Sequence, residues 1–411
     1  MTESVNAAAE FNGCRVAYLL PDPGIPVGGT KGASVHVDAL CGAMTRLGAT
    51  VRLYAAKVVG PLSAQGSGRV EVIPIDVGEV RSGADADTTR MAAARAFFES
   101  VGPDMVAFRP DWIHERLSLF AADGTRLSSS LGVPRVVEVN APVSDERITH
   151  FDLRLVTDAR QAEREALRGA RVVAVSGPLA SWALDQGAAE ATVVPNGADT
   201  EALDPERWRS DRTELRRSLG FSGDRPVVGF AGSLKPWHGV ELLFDAVADL
   251  AATVELGLLV VGDGPRRAQV DERAGRLPPS VAVAVTGAVP AADVPRYLAA
   301  MDIAVAPYLP SERFYFSPLK VVEAMAAGLP VVASAFDPVR EMVGPTGVLV
   351  PAGDVGALSS ALRDLASDPA ARRRLGDAGR ARAVSDMDWM AVAARTMHIA
   401  RSERVRQRLS R

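Results

Sequence analysis

The chain has 411 residues, 47% hydrophobic and 23% charged, with a formal net charge of −4; this is a globular composition, not a disordered one, and at about 100–200 residues per domain it suggests two domains. The slightly acidic balance argues against nucleic acid as a partner, and no apolar run approaches the ~18 residues of a membrane span. Two cysteines, Cys14 and Cys41, and five histidines with no pair at metal-binding spacing exclude a disulfide framework and a cysteine-based zinc site.

The N-terminus, Met1-Thr-Glu-Ser-Val, lacks the basic start and apolar core of a signal peptide, so a cytoplasmic protein is expected. Short β-rich runs then alternate with helical patterns, the order of an α/β fold with parallel sheets. The first run, 14–20, ends in a loop rich in Pro and Gly, 21–32. A helix follows, with Val35, Leu40, Met44 and Leu47 near helical spacing and Gly48 as its stop. Further strands are expected at 51–55, 70–75, 112–115, 135–139, 172–175 and 192–194. Asp85-Ala-Asp87, the one Asp-x-Asp, lies in a polar stretch and reads as surface or as a helix cap. The polar segment 196–211, with Pro205, reads as a linker. A second series opens at Pro226, with strands expected at 227–233, 256–261, 281–286, 303–307, 331–333 and 347–350. Ala371-Arg-Arg-Arg374 reads as a solvated helix face. No strongly basic amphipathic helix is present, so peripheral membrane contact has little support.

Ligands of such sheets bind beyond the carboxyl ends of the strands, and four loops there are unusual. Gly28-Gly-Thr-Lys-Gly32 combines close backbone approach with a helix N-terminus. Its spacing is neither a dinucleotide fingerprint nor a phosphate-binding loop, and anion binding and a flexible turn stay equally open. In Gly232-Ser-Leu-Lys-Pro-Trp-His-Gly239, Lys235 and His238 are candidates to face an anion; Trp237 reads as packing, and a solvent-touching His238 is the alternative. In Val261-Gly-Asp-Gly-Pro265, Asp263 caps the next helix or touches a ligand. In the segment 314–334, Ser317-Pro318 reads as a helix cap and first residue, and Lys320 and Glu323 share one helix face. An acid in an otherwise apolar helix needs a partner. Ribose hydroxyls would serve, and so would a Lys320–Glu323 surface pair.

Residues 28–32, Val173-Ala-Val-Ser176, Val194-Pro-Asn-Gly-Ala-Asp199, Phe230-Ala-Gly-Ser233, Val261-Gly-Asp-Gly-Pro265, Thr286-Gly-Ala-Val-Pro290 and 317–333 occur in the order of a known family. Together they resemble the retaining glycosyltransferases of family 4 (glycosyltransferase group 1), over nearly the whole chain. Asp388-Trp389-Met390 is similar to that family's final helix. The resemblance implies an α/β fold of GT-B architecture, two doubly wound Rossmann-like domains facing across a cleft. An acceptor domain would span 1–200 and a donor domain 201–385, with a final helix 386–411 crossing back to the first. It implies a nucleoside-diphosphate sugar as donor, a UDP-sugar first and a GDP-sugar next, and a hydroxyl of a glycan, lipid or small natural product as acceptor. No cofactor and no metal is implied.

By the same resemblance Glu323 would bind the ribose hydroxyls, and Lys235 the diphosphate. Backbone around Ser317, Pro318 and Leu319 would surround the sugar and phosphates. Lys320, Gly28, Gly29, Gly232, Ser233, Gly262, Gly287 and Val289 complete the expected donor site, and Lys235, Glu323 and Asn140 are the catalytic candidates. The chain departs from the family at Tyr315, where the first of two glutamates eight positions apart is usual, and the nearby Glu312 is out of register. Ser233 and His238 stand where Arg and Lys are common, and Asn140 stands where a His often touches the donor sugar. His114-Glu-Arg116 and residues 138–146 either line an acceptor pocket or serve packing and capping. A nucleotide-sugar epimerase or phosphorylase and a non-catalytic glycosyltransferase-like partner are the competing functions.

Overall fold

The computed structural model describes residues 11–29, 31–62 and 70–409, with side chains described up to residue 402. The N-terminal pentapeptide and Thr30 of the glycine loop lie outside the described residues. The chain forms two compact units. The first holds Met1–Asn196, Tyr315–Ser317 and Trp389–Arg411; the second holds Gly197–Phe314 and Pro318–Asp388.

The first unit is built on a seven-stranded sheet of order β3-β2-β1-β4-β5-β6-β7, parallel throughout. Its strands are β1 (Arg15–Leu20), β2 (Thr50–Ala55), β3 (Val70–Pro74), β4 (Trp112–Arg116), β5 (Arg135–Val139), β6 (Arg171–Ala174) and β7 (Glu190–Val193). The central strands are buried on both faces, which is why β1 reads as a near-continuous apolar run rather than an alternating one, while β4 and β5 bury His114, Glu115, Arg116, Arg135 and Glu138. The order reverses between β1 and β4, and the register there sets Tyr18 beside His114 and, one strand over, Arg116 beside Glu138. The final helix, Trp389–Leu409, belongs to this unit. Its Trp389 meets the His36 ring edge-on at 5.2 Å, and Arg171 donates to the Ile399 carbonyl and the Ser402 hydroxyl.

The second unit carries a six-stranded sheet of order β10-β9-β8-β11-β12-β13, also parallel. Its strands are β8 (Val227–Ala231), β9 (Gly257–Val261), β10 (Ala282–Val285), β11 (Ile303–Ala306), β12 (Val331–Ser334) and β13 (Val348–Val350). Phe230, Leu243, Phe244, Val247, Leu258 and Leu362 are among the side chains of one buried cluster beneath it. Each such side chain contributes about 1.5–3 kcal/mol by leaving water. The strand order reverses between β8 and β11.

Two expectations are corrected. Residues 197–211 are not a bare linker. Asp204 accepts the Glu206 N–H at 3.0 Å to open a 3₁₀ turn, Pro205–Trp208, and the Trp208 indole donates to the Ala202 carbonyl at 2.8 Å. The helix Arg209–Ser218 follows at once and sends Arg212 and Arg216 to Asp302, which also accepts the Val227 N–H. Of the Asp-x-Asp pair, Asp85 is exposed at the N-cap position of the helix Ala86–Phe108, as read, but Asp87 is buried, and its carboxylate accepts the N–H groups of Arg154 (2.6 Å) and Leu155 (3.1 Å) at the entry to the helix Val156–Leu167.

Candidate functional site

In the second unit the loops after β8, β9 and β10 are joined backbone to backbone. The Gly232 N–H donates to the Val261 carbonyl and the Gly262 N–H to the Gly287 carbonyl, both at 2.9 Å. Gly232 has φ +145°, a conformation that favours glycine. A β-carbon on Gly262 would stand 2.0 Å from the Gly232 oxygen, so glycine there lets two loops touch. Gly232, Gly262 and Gly287 therefore form one contiguous stretch of main chain at the carboxyl end of the sheet, with Ser233 exposed and Val289 half-buried beside it. Asp263 does not cap the following helix. Its side chain accepts the next N–H, that of Gly264, and its carbonyl accepts that of Leu234.

Lys320 and Glu323 lie on the helix Leu319–Ala326, which follows β11 and is preceded by Pro318. The helix ends before Gly328, at φ +71°. By helix geometry the N–H groups of Leu319 and Lys320 have no backbone acceptor. The Lys320 ammonium is buried without a hydrogen-bond acceptor, 4.3 Å from the Phe230 ring centroid and 5.2 Å from that of Tyr308. Burial, opposed by the Glu323 charge, pulls it down to about 7. Burial likewise pushes the Glu323 carboxyl up, against the pull of Lys320. The alternative of a Lys320–Glu323 surface pair is not formed: the ammonium lies over the two rings instead. The Glu323 carbonyl accepts the Ala327 N–H at 2.9 Å, whereas its carboxyl makes no hydrogen bond among the described residues.

His238, in the short helical turn Pro236–His238, is half-buried and packs its ring among aromatic side chains. Its ring sits 5.7 Å from Tyr308 and 6.3 Å from Phe230, and its Nδ1 lies 2.5 Å from the Ser233 carbonyl, to which it donates. Burial and the nearby Lys320 and Lys235 charges hold it down at about 3, so it is neutral at physiological pH. Lys235 remains at the turn, its Nζ 5.6 Å from the Trp237 ring centroid.

Ser317 belongs to the first unit and is committed there. Its hydroxyl accepts the Asn196 N–H at 2.9 Å, and its carbonyl accepts the Asn196 side-chain amide at 2.6 Å. It makes no cap to the helix that follows. Tyr315 packs against the apolar cluster of Val139, Leu179 and their neighbours, its carbonyl accepts the Ser176 hydroxyl at 2.7 Å, and burial pushes its phenol up. The place of the family's first glutamate is thus a packing position here, and Glu312 is exposed.

Sequence reasoning missed the polar centre of the first unit. Glu138 is buried and touches His36 (3.0 Å), His114 (2.9 Å), Arg116 (2.6 Å) and the Tyr18 hydroxyl (3.0 Å). Burial alone would push its carboxyl up. The surrounding charges of His36 and Arg116 and the hydrogen bonds from the two imidazoles outweigh this and hold it well below the usual carboxylate range. An ionised carboxylate only accepts, so the Asn140 side chain must present its NH₂ to Glu138. That leaves the Asn140 oxygen as the group on offer. His36 also reaches Asn196 at 2.7 Å through Nδ1. The available signal was Glu138 itself, a carboxylate inside an apolar strand. Of the two readings left open for 114–116, a pocket lining or packing, the burial favours packing: His114 and Arg116 join a buried ion cluster, and Glu115 pairs with Arg135 at 2.6 Å on the other face. Gly28 and Gly29 are crowded by their own chain. A β-carbon would stand 2.5 Å from the Gly60 oxygen at Gly28 and 2.8 Å from the Ser34 hydroxyl at Gly29.

Among the described residues no group of three or more His, Cys, Asp or Glu is placed to hold a metal ion, and no helix is long and apolar enough to cross a membrane.

The sequence matches the family described as Glycosyltransferase Family 4 over residues 30–202 and that described as Glycosyl transferases group 1 over residues 225–368. It is 33% identical over 231 residues to a phosphatidyl-myo-inositol mannosyltransferase of Mycobacterium leprae, covering 55% of this chain and 58% of that protein. It is 29% identical over 305 residues to an MMP alpha-(1->4)-mannosyltransferase of Mycolicibacterium hassiacum, covering 70% of each. The chain spans a little over half the length of the first of these relatives. Among solved structures, HepE of Anabaena in complex with UDP superposes with a TM-score of 0.70 at 21% identity, over 94% of this chain and 100% of that one, a likeness of fold. With two parallel-sheet α/β units and both halves matched, the chain belongs to the group 1, family 4 glycosyltransferases of GT-B fold.

Proposed function

We propose that this protein moves a sugar from a nucleoside-diphosphate sugar to a hydroxyl of a glycan, lipid or small molecule, with retained anomeric configuration and without a metal. The observation that carries the reading is an acid and a cation three residues apart on one helix, Glu323 and Lys320, neither paired with the other, beside the glycine-lined carboxyl ends of β8, β9 and β10. Glu323 would accept hydrogen bonds from paired ribose hydroxyls. The turn at 286–289 would frame the base, largely through main chain, which leaves UDP- and GDP-sugars both as candidate donors.

The leaving diphosphate gains negative charge as the glycosidic bond breaks. Lys235 and the first N–H groups of the helix Leu319–Ala326 would stabilise that charge more in the transition state than in the ground state. The departing phosphate would take the acceptor's proton on the same face, giving retention. The oxygen of Asn140, oriented by Glu138, suits a substrate hydroxyl as a hydrogen-bond acceptor.

Nucleotide release from UDP- and GDP-sugars, with NMR of the product, tests this. Release coupled to a new glycoside of retained configuration, surviving a chelator, is expected. An inverted product would reject the mechanism, and dependence on added magnesium or manganese would reject the metal-free leaving-group stabilisation. An epimerised sugar with no glycoside formed would favour the epimerase, and binding with no turnover the non-catalytic partner.

A further inference from the structure

The loop after β8 offers few cations for a diphosphate. Lys235 stands beside Trp237, and His238 is neutral and committed to the Ser233 carbonyl. A second ammonium lies behind that loop. Lys320 Nζ sits between Phe230 of β8 and Tyr308 just after β11, at the place where the strand order reverses. Ligands of open parallel sheets bind at such reversals. The Lys320 chain passes directly under Gly232: a β-carbon there would stand 3.0 Å from Lys320 Cε and 3.3 Å from Nζ. Glycine at 232 therefore leaves the ammonium covered by bare main chain on its loop side.

We propose that Lys320 is a cation for the donor's diphosphate, met through the side-chain-free face of Gly232, and that it takes up a proton as the nucleotide binds. This rests on the donor reading above. An enclosed ammonium without an acceptor is costly to keep charged, and burial sets Lys320 to about 7 in the free protein. The charged and titratable groups around it are Glu323 on its own helix, His238 and Lys235 from the loop after β8, and the Tyr308 phenol from the segment after β11. Among the described residues Glu323 is the opposite charge that acts on Lys320, and it makes no ion pair with it. A diphosphate supplies the missing negative charge and raises the lysine's proton affinity. Above about pH 7 the free protein holds less than half a proton at Lys320 and the complex holds more, so binding consumes protons and affinity falls as pH rises.

Isothermal titration calorimetry at pH 8 in Tris and in HEPES, with UDP, GDP, uridine and guanosine as probes, reads this directly. The expected result is uptake approaching one proton per diphosphate bound and none per nucleoside. Lys320→Met should abolish the uptake and weaken diphosphate binding at least about tenfold, leaving nucleoside binding unchanged. Lys320→Arg should restore affinity without uptake, because guanidinium does not titrate here. The methionine variant should melt no lower than wild type, since it replaces a buried amine that has no hydrogen-bond acceptor by an apolar chain of similar shape. UDP or GDP binding by Lys320→Met with wild-type affinity and proton uptake would overturn the assignment while leaving the donor reading intact. Failure of the wild type to bind any of UDP, GDP, TDP and ADP would overturn both.

Discussion

Glu323 is an acid in an apolar helix, half-buried and without an ion pair to Lys320, whose ammonium lies over the rings of Phe230 and Tyr308; in the proposed donor site it holds the ribose hydroxyls. A hydrogen bond to a charged group is worth about 1.5–3 kcal/mol, so Glu323→Gln should cut donor use roughly 10- to 150-fold in steady-state kinetics while the melting temperature holds. Wild-type kinetics in that variant would remove Glu323 from the site. Lys235 and His238 should separate by readout. Lys235→Ala should lower kcat, because it would act on charge that grows as the bond breaks. His238→Ala removes the ring among Phe230, Trp237 and Tyr308 and the bond to Ser233, so its main effect should be a lower melting temperature. The sequence showed both residues in one loop, but their roles divide only when Tyr308, seventy residues on, closes over the imidazole.

At the scale of elements, two helices of the first unit meet through a titratable contact. The helix Val143–His150 begins where the Glu163 carboxyl, from the helix Val156–Leu167, accepts the Ser144 N–H at 3.1 Å. Burial pushes Glu163 up from 4.5 to about 7, and the hydrogen bond opposes it only in part. Its folded value lies above its unfolded one, so the folded state binds more protons between about pH 4.5 and 7, and stability falls as pH rises through that window. Denaturant unfolding from pH 5 to pH 8 should show a loss in the wild type that Glu163→Gln flattens. An unchanged slope would show that Glu163 is ionised in the fold as it is in the unfolded chain. Element positions themselves were legible because buried parallel strands are short β-branched runs closed by Gly or Pro, as in 227–233 and 331–333. The segment 196–211 was misread because its order comes from an Asp204 turn and an indole bond, which leave no periodic mark.

Across the whole molecule, both sheets could be read in outline, and so could the loops at their carboxyl ends. The polar centre around Glu138 could not. Around Glu138 of β5 it gathers Tyr18, His36, His114, Arg116 and Asn140, drawn from two further strands, a helix and a loop, and the register of β1, β4 and β5 brings the strand residues together. Tyr315 likewise departed from the family pattern for a reason invisible in the sequence, its packing against the first unit's apolar cluster. The central claim is that the second unit binds the nucleoside diphosphate of a sugar donor. Thermal melting of the full chain with UDP, GDP, TDP and ADP, each beside its nucleoside, tests it most directly, because a ligand at a hundred times its dissociation constant adds about 2.7 kcal/mol to native stability. The account predicts that at least one diphosphate raises the melting temperature by several degrees, that its nucleoside does so less, and that Glu323→Gln diminishes the shift. A chain whose melting temperature no diphosphate moves at millimolar concentration would contradict it.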